Sequence, residues 1–187
     1  MVSVSRYLVV ALCSTVLLLS GCATTLTELD PPTSPDAILV IGNFDMSEAM
    51  STLTQVDIER LKPDPDKFNN KFWVIHKGES YTFFSAVLTT GQYKFSGAGG
   101  RMGRNRMWYD LEGDARFTRT FPKPGIYYVG TYKIRTIMPK GMVGRAKNEI
   151  TSIKEPGERE LLLKVLPYAK HEYWKKMIER RLKELPK

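Results

Sequence analysis

The densest chemistry in the chain is Gly97-Ala98-Gly99-Gly100-Arg101-Met102-Gly103-Arg104-Asn105-Arg106, which joins four glycines to three arginines with no acid. Glycines let successive backbone N–H groups point into one concavity, and guanidiniums add forked donors, so the segment suits a phosphate or a carboxylate. The plainer reading, which the composition favours, is a hairpin loop kept soluble by Arg101, Arg104 and Arg106. A dinucleotide fingerprint is excluded, because Gly97-x-Gly99 lacks the third glycine in register and precedes a strand-like run instead of a helix.

Other chemistry-bearing residues are sparse. Asp110, Glu112 and Asp114 alternate around Gly113. Their spacing lacks the remaining ligands of a calcium loop, which leaves an acidic hairpin turn as the better reading. Paired carboxylates could also hydrolyse a glycoside, but that needs two groups at a fixed separation across a cleft, and the sequence reveals no cleft. His76 and His171 are the only histidines, and nothing in the sequence brings them together. No Gly-x-Ser-x-Gly elbow, His-Glu-x-x-His pair or phosphate-loop Gly-Lys-Ser/Thr occurs. The expectation is therefore a non-enzyme with no metal and no cofactor.

The elements that must position these residues are mostly strands. Ala37 to Ile41, Thr54 to Arg60, Phe72 to Ile75, Tyr81 to Leu88, Tyr93 to Ser96, Met107 to Leu111, Phe117 to Phe121 and Ile126 to Ile134 are short β-type runs. Gly or Pro separates them every 8–12 residues or so, the spacing of an antiparallel sandwich or barrel and not of a βαβ sheet. After Gly157 the period changes. Glu158 to Leu166 is helical in composition, Pro167 breaks it, and Tyr173, Trp174, Met177, Ile178, Arg181, Leu182 and Leu185 then form one stripe of a helix. Pro167 is expected near the start of that second helix. The stripe either packs on the sandwich or docks an envelope partner, and its basic opposite face suits anionic lipid.

Two stretches repeat a form: Val87-Leu88-Thr89-Thr90-Gly91-Gln92-Tyr93 and Phe121-Pro122-Lys123-Pro124-Gly125-Ile126-Tyr127. Each has an apolar residue, three spacers, a turn glycine and a tyrosine that can anchor the next strand. This turn resembles the Leu-Pro-x-Gly-x-Tyr corner of transthyretin-like and carboxypeptidase-regulatory-like β-sandwich domains, although the first copy lacks the proline. The resemblance implies a fold class and no activity.

The N-terminus carries an address. Arg6 is the only charge in residues 1–21, and Leu8 to Leu19 is almost continuously apolar before Ser20 and Gly21. A positive start, a short apolar run and a small-residue exit describe a signal peptide, too short for a comfortable membrane span. Leu19-Ser20-Gly21-Cys22 resembles the lipobox of bacterial lipoproteins. The resemblance implies cleavage before Cys22 and a diacylglycerol thioether on its sulfur, usually with an acylated amine. In that family an Asp after the cysteine retains the protein at the inner membrane; Ala23 here resembles the outer-membrane-sorted kind, if the source has two membranes. Two or three acyl chains hold a protein stably where one does so only marginally.

The whole chain has 187 residues and a formal net charge of +8, and removal of residues 1–21 takes one arginine, leaving +7. Cys13 leaves with the signal, so thiol catalysis and a disulfide framework drop out. The expected organisation is a signal over 1–21, a Thr/Pro-rich tether over 22–36, a β-sandwich over 37–146, and a linker with a helical tail of two short helices over 147–187. The expected function is a binding or assembly component held in a bacterial envelope, facing the periplasm from the outer membrane if the source is Gram-negative. A module for lipopolysaccharide phosphate or another cell-wall polyanion is the alternative, and an envelope hydrolase a lesser one. The implied partners are the membrane through Cys22 and an envelope protein or anionic glycolipid. Export removes the chain from nucleic acid.

Overall fold

A computed structural model describes residues 28–65, 72–139 and 146–186. The signal segment and Cys22 lie outside the described residues. Among the described residues nine strands form two sheets, followed by two short helices. The mainly β, sandwich-like architecture read from the sequence is what the chain adopts, with no closed barrel among the described residues.

The strands are β1 (Ala37–Glu48), β2 (Thr52–Lys62), β3 (Trp73–Lys77), β4 (Ser80–Thr89), β5 (Gly91–Met102), β6 (Asn105–Asp110), β7 (Thr118–Phe121), β8 (Gly125–Ile137) and β9 (Lys147–Ile153). Sheet A runs β3-β4-β1-β8-β9, while in sheet B β5 pairs with β2 along one edge and with β7 and β6 in succession along the other. All pairs are antiparallel except β1 with β8, which is parallel.

Strand β1 explains the layering. Its residues alternate between two cores, because successive side chains point to opposite faces of a sheet. Ile38, Val40, Phe44 and Met46 enter the core between the sheets. Ala37, Leu39 and Ile41 enter a second core on the outer side of sheet A. A strand apolar at every position is one covered on both faces. Strand β4 changes face midway: the register slips between Ile38 and Val40 of β1, so that Phe84 and Ala86 face the second core but Leu88 the first. One extra residue in a bulge has this consequence.

The cover over sheet A is helical. Helix α1 (Glu158–Val165) and helix α2 (Glu172–Glu184) contribute Leu161, Leu162, Val165, Trp174 and Ile178, all buried. The stripe on α2 thus packs on the sandwich through Trp174 and Ile178, with Tyr173, Leu182 and Leu185 partly buried against the same core. Pro167 lies in a 3-10 turn (Leu166–Tyr168) between the helices, not at the start of the second; His171 caps α2 instead, its Nδ1 accepting from the Tyr173 N–H at 3.3 Å.

Two boundaries move. Strand β9 belongs to sheet A, so the sandwich extends through residue 153, past the expected boundary at 146. Its sequence, Lys147–Ile153, is mostly exposed and polar at the sheet edge, so it has no apolar run to announce it. Residues 28–36 are not free tether either. Leu29 is buried in the second core, its N–H donates to the Tyr168 carbonyl at 2.7 Å, and the Trp174 Nε1–H donates to the Asp30 carbonyl at 2.9 Å.

The repeated turn is real as geometry. The Tyr93 hydroxyl donates to the Thr89 carbonyl at 2.9 Å, and the Tyr127 hydroxyl donates to the Lys123 carbonyl at 2.6 Å, each four residues back across its glycine. Both rings pack on Phe121, with centroids 5.6 and 4.7 Å away.

Candidate functional site

The glycine-rich segment is strand, not loop. Gly97 to Met102 completes β5, Gly103 and Arg104 make the turn at φ +61° for Gly103, and Asn105 begins β6. Ladder pairing with β2 and β6 occupies this backbone, so the anion nest of glycine amides, the less favoured of the two sequence readings, does not form. The glycines serve packing. A Cβ on Gly100 would stand 1.6 Å from the Thr52 carbonyl oxygen. On Gly97 it would lie 2.1 Å from Trp108 Cζ2, and on Gly99 3.1 Å from Trp108 Cε3. The indole therefore lies across two residues with no side chain, shielding their backbone with one ring face.

The other ring face is open: Trp108 is 48% exposed. The two-residue turn sets the register, pairing Gly99 with Trp108, Gly97 with Asp110, and Arg101 with Arg106. Across β5 the same rows continue to Gln55, Asp57 and Thr52 of β2. All these side chains share the outer face of sheet B, since the intervening Val56, Ala98 and Tyr109 are in the inter-sheet core. A cleft of about 370 Å³ lies between Gln55, Arg101, Arg106 and Trp108. The Gln55 amide nitrogen donates to Asp57 Oδ1 at 2.6 Å, which turns its carbonyl oxygen away from that bond as a free acceptor.

Arg101 and Arg106 sit directly opposite one another, and Arg104 occupies the turn beside them. Like charges facing across strands are destabilising. Among the described residues none of these three guanidiniums has a hydrogen-bond or ion-pair partner. Arg181 and Arg116, by contrast, are engaged. The Arg181 Nε donates to Glu158 at 2.7 Å, and that pairing raises its proton affinity above the usual guanidinium value. The Arg116 Nε donates to Asp114 Oδ2 at 2.8 Å, and its Nη2 donates to the Ile150 carbonyl at 2.8 Å, fastening the turn before β7 to β9. These hydrogen bonds from Arg116 hold the Asp114 carboxyl below the usual carboxylate range.

The other candidates from the sequence are structural where the structure places them. Asp110 Oδ1 accepts from the Glu112 N–H at 2.9 Å, Glu112 reaches Lys94 at 3.6 Å, and Asp114 caps the 3-10 turn Ala115–Phe117. The three acids thus shape a turn and do not face one another across a cleft. His76 on β3 stacks on Tyr81, ring centroids 5.7 Å apart, whereas His171 caps α2. Among the described residues no group of three His, Cys, Asp or Glu is placed to hold a metal ion, and no helix is long and apolar enough to cross a membrane.

A second groove, of about 430 Å³, lies between the Lys123–Tyr127 turn and α2. Its Arg181 is already paired with Glu158 and Glu184, and the Tyr127 hydroxyl is spent on its own turn, so it offers fewer free donors. Sequence reading found the arginines but missed Trp108. The signal was present: centring a hairpin on Gly103-Arg104 places Trp108 opposite Gly99 by counting alone. No protein-family model, no curated protein and no solved structure matches the chain.

Proposed function

We propose that this chain is a lipid-anchored, non-catalytic binding component of a bacterial envelope, and that its open sheet takes an anionic glycan. The lipobox-like Leu19-Ser20-Gly21-Cys22 supports the anchor, with Cys22 as the lipidated residue. One observation carries the ligand class: the unpaired Arg101–Arg106 pair beside a half-exposed indole. A phosphate or carboxylate relieves the repulsion between the two guanidiniums and accepts forked hydrogen bonds from them. The exposed Trp108 face suits the C–H face of a sugar ring, and Gln55 and Arg104 lie at hand for further polar contacts. The work is recognition at a surface, with the lipid supplying position.

The test is equilibrium binding of the purified protein to a phosphorylated envelope oligosaccharide and to its dephosphorylated counterpart, across a salt series. Binding that requires the phosphate, weakens steeply with salt and vanishes in Arg101→Ala/Arg106→Ala supports the reading. Equal binding of both sugars, or binding unaffected by the double substitution, removes it.

A further inference from the structure

The point where the anchor segment joins the body fixes how the body must sit on its membrane. Leu29 and Asp30 are fastened to the junction of α1 and α2 through the Tyr168 carbonyl and the Trp174 indole. Seven peptide links separate Cys22 from Leu29, a reach of at most about 25 Å. From that junction outward, α2 buries Trp174 and Ile178 and exposes Lys175, Lys176, Arg180 and Lys183, with Lys170 exposed in the connection just before it. The acids on the exposed side of the layer are Glu160 of α1 and Glu172, Glu179 and Glu184 of α2. Glu172 pairs with Lys176 at 3.3 Å, Glu184 pairs with Arg181, and Glu179 stands among the cations. On α1, Leu163 points outward and is 50% exposed, an apolar side chain on the same layer.

Resting on the lipid attachment proposed above, we infer that the helical layer, led by Lys170, Lys175 and Lys176, lies against the anionic lipid surface holding Cys22. The Trp108 cleft then faces away from it. The short leash supplies proximity and the exposed lysines supply charge complementarity. Screening confines such attraction to within about 8 Å at physiological salt, so the face must lie nearly on the headgroups. The Trp108 cleft is on the far side of both sheets, roughly 20 Å further from the lipid by two layer spacings of about 10 Å. A surface-bound ligand reaches it without competing with the membrane.

The mature chain has no thiol besides Cys22, so single cysteines report position cleanly. Lys176→Cys and Arg104→Cys, each in the full lipidated protein and labelled with a fluorophore, are reconstituted into vesicles of mixed zwitterionic and anionic phospholipid carrying a headgroup quencher. The expected result is severalfold stronger quenching at position 176 than at 104. A reversal of charge at Lys170 and Lys175 to Glu, in both labelled proteins, should bring the two sites closer to parity while the protein stays on the vesicles. Equal quenching at 176 and 104 in the parent protein, or more at 104, overturns the orientation while leaving the anchor intact. Protein that does not float with the vesicles, with an unmodified Cys22 by mass, overturns the anchor and this inference with it.

Discussion

The two outer faces of the sandwich have opposite fates. The outer face of sheet A is built from Ala37, Leu39, Ile41, Phe84 and Ala86, and the helices roof it with Leu161, Leu162, Val165, Trp174 and Ile178. The outer face of sheet B carries Thr52, Gln55, Asp57, two glycines, two arginines and an indole, and nothing among the described residues covers it. Trp174 and Trp108 condense the contrast, the first fully buried with its Nε1–H satisfied by Asp30, the second half in solvent. A tryptophan spent on packing secures the fold, whereas one left open over glycine is available to a ligand.

That contrast can be tested by breaking each side. Trp174→Ala removes the largest side chain of the roof and should cost about 3–5 kcal/mol of stability. Trp108→Ala should cost within about 1 kcal/mol, because its ring is half hydrated already. Urea unfolding of the pair reads the difference, and similar losses would mean that the two faces are not distinct. Next in size, Arg101→Ala/Arg106→Ala should weaken anionic-glycan binding by roughly tenfold or more per arginine, each charged hydrogen-bond set being worth about 1.5–3 kcal/mol. Its unfolding midpoint should hold or rise, since a like-charge pair is removed.

Gly97→Ala sharpens the role of the floor. The new Cβ collides with Trp108, so the indole must swing off β5 while both arginines remain, and glycan affinity should drop less than in the double arginine variant. An unchanged affinity would show that the ring's seat is irrelevant to binding. The smallest effect contrasts a paired arginine with the unpaired ones. The folded-state pKa of Asp114 is depressed by Arg116, so its contribution to stability is whole above the ordinary aspartate value and disappears as pH falls through the lower folded value. Asp114→Asn should therefore flatten the acid limb of a stability–pH profile slightly, whereas Arg101→Ala should leave that limb unchanged.

The sequence made the strands legible wherever an apolar run marked them, and the repeated glycine–tyrosine turns emerged with matching hydrogen bonds. It hid β9, because an exposed edge strand such as Lys147–Ile153 needs only Ile150 and Ile153 half-buried and carries no run. It also disguised Gly97 to Gly100 as a loop. Glycine is ordinarily a weak strand former, and what makes it fit here is a partner nine to eleven residues later, the Trp108 ring, together with the close approach of the Thr52 carbonyl. The tether looked longer than it is because one leucine, Leu29, finds a buried seat that only the folded helices create. Arg101, Arg104 and Arg106 were visible as types, but their common place at one hairpin tip depended on the register.

The most direct measurement is a backbone-amide and indole chemical-shift map of the protein titrated with a phosphorylated oligosaccharide. The account predicts shifts gathered on Gln55, Gly97 to Arg106 and the Trp108 Nε1–H, with the groove beside Lys123 and Arg180 silent. Shifts centred on that groove, or none on the open sheet at saturating ligand, would contradict it.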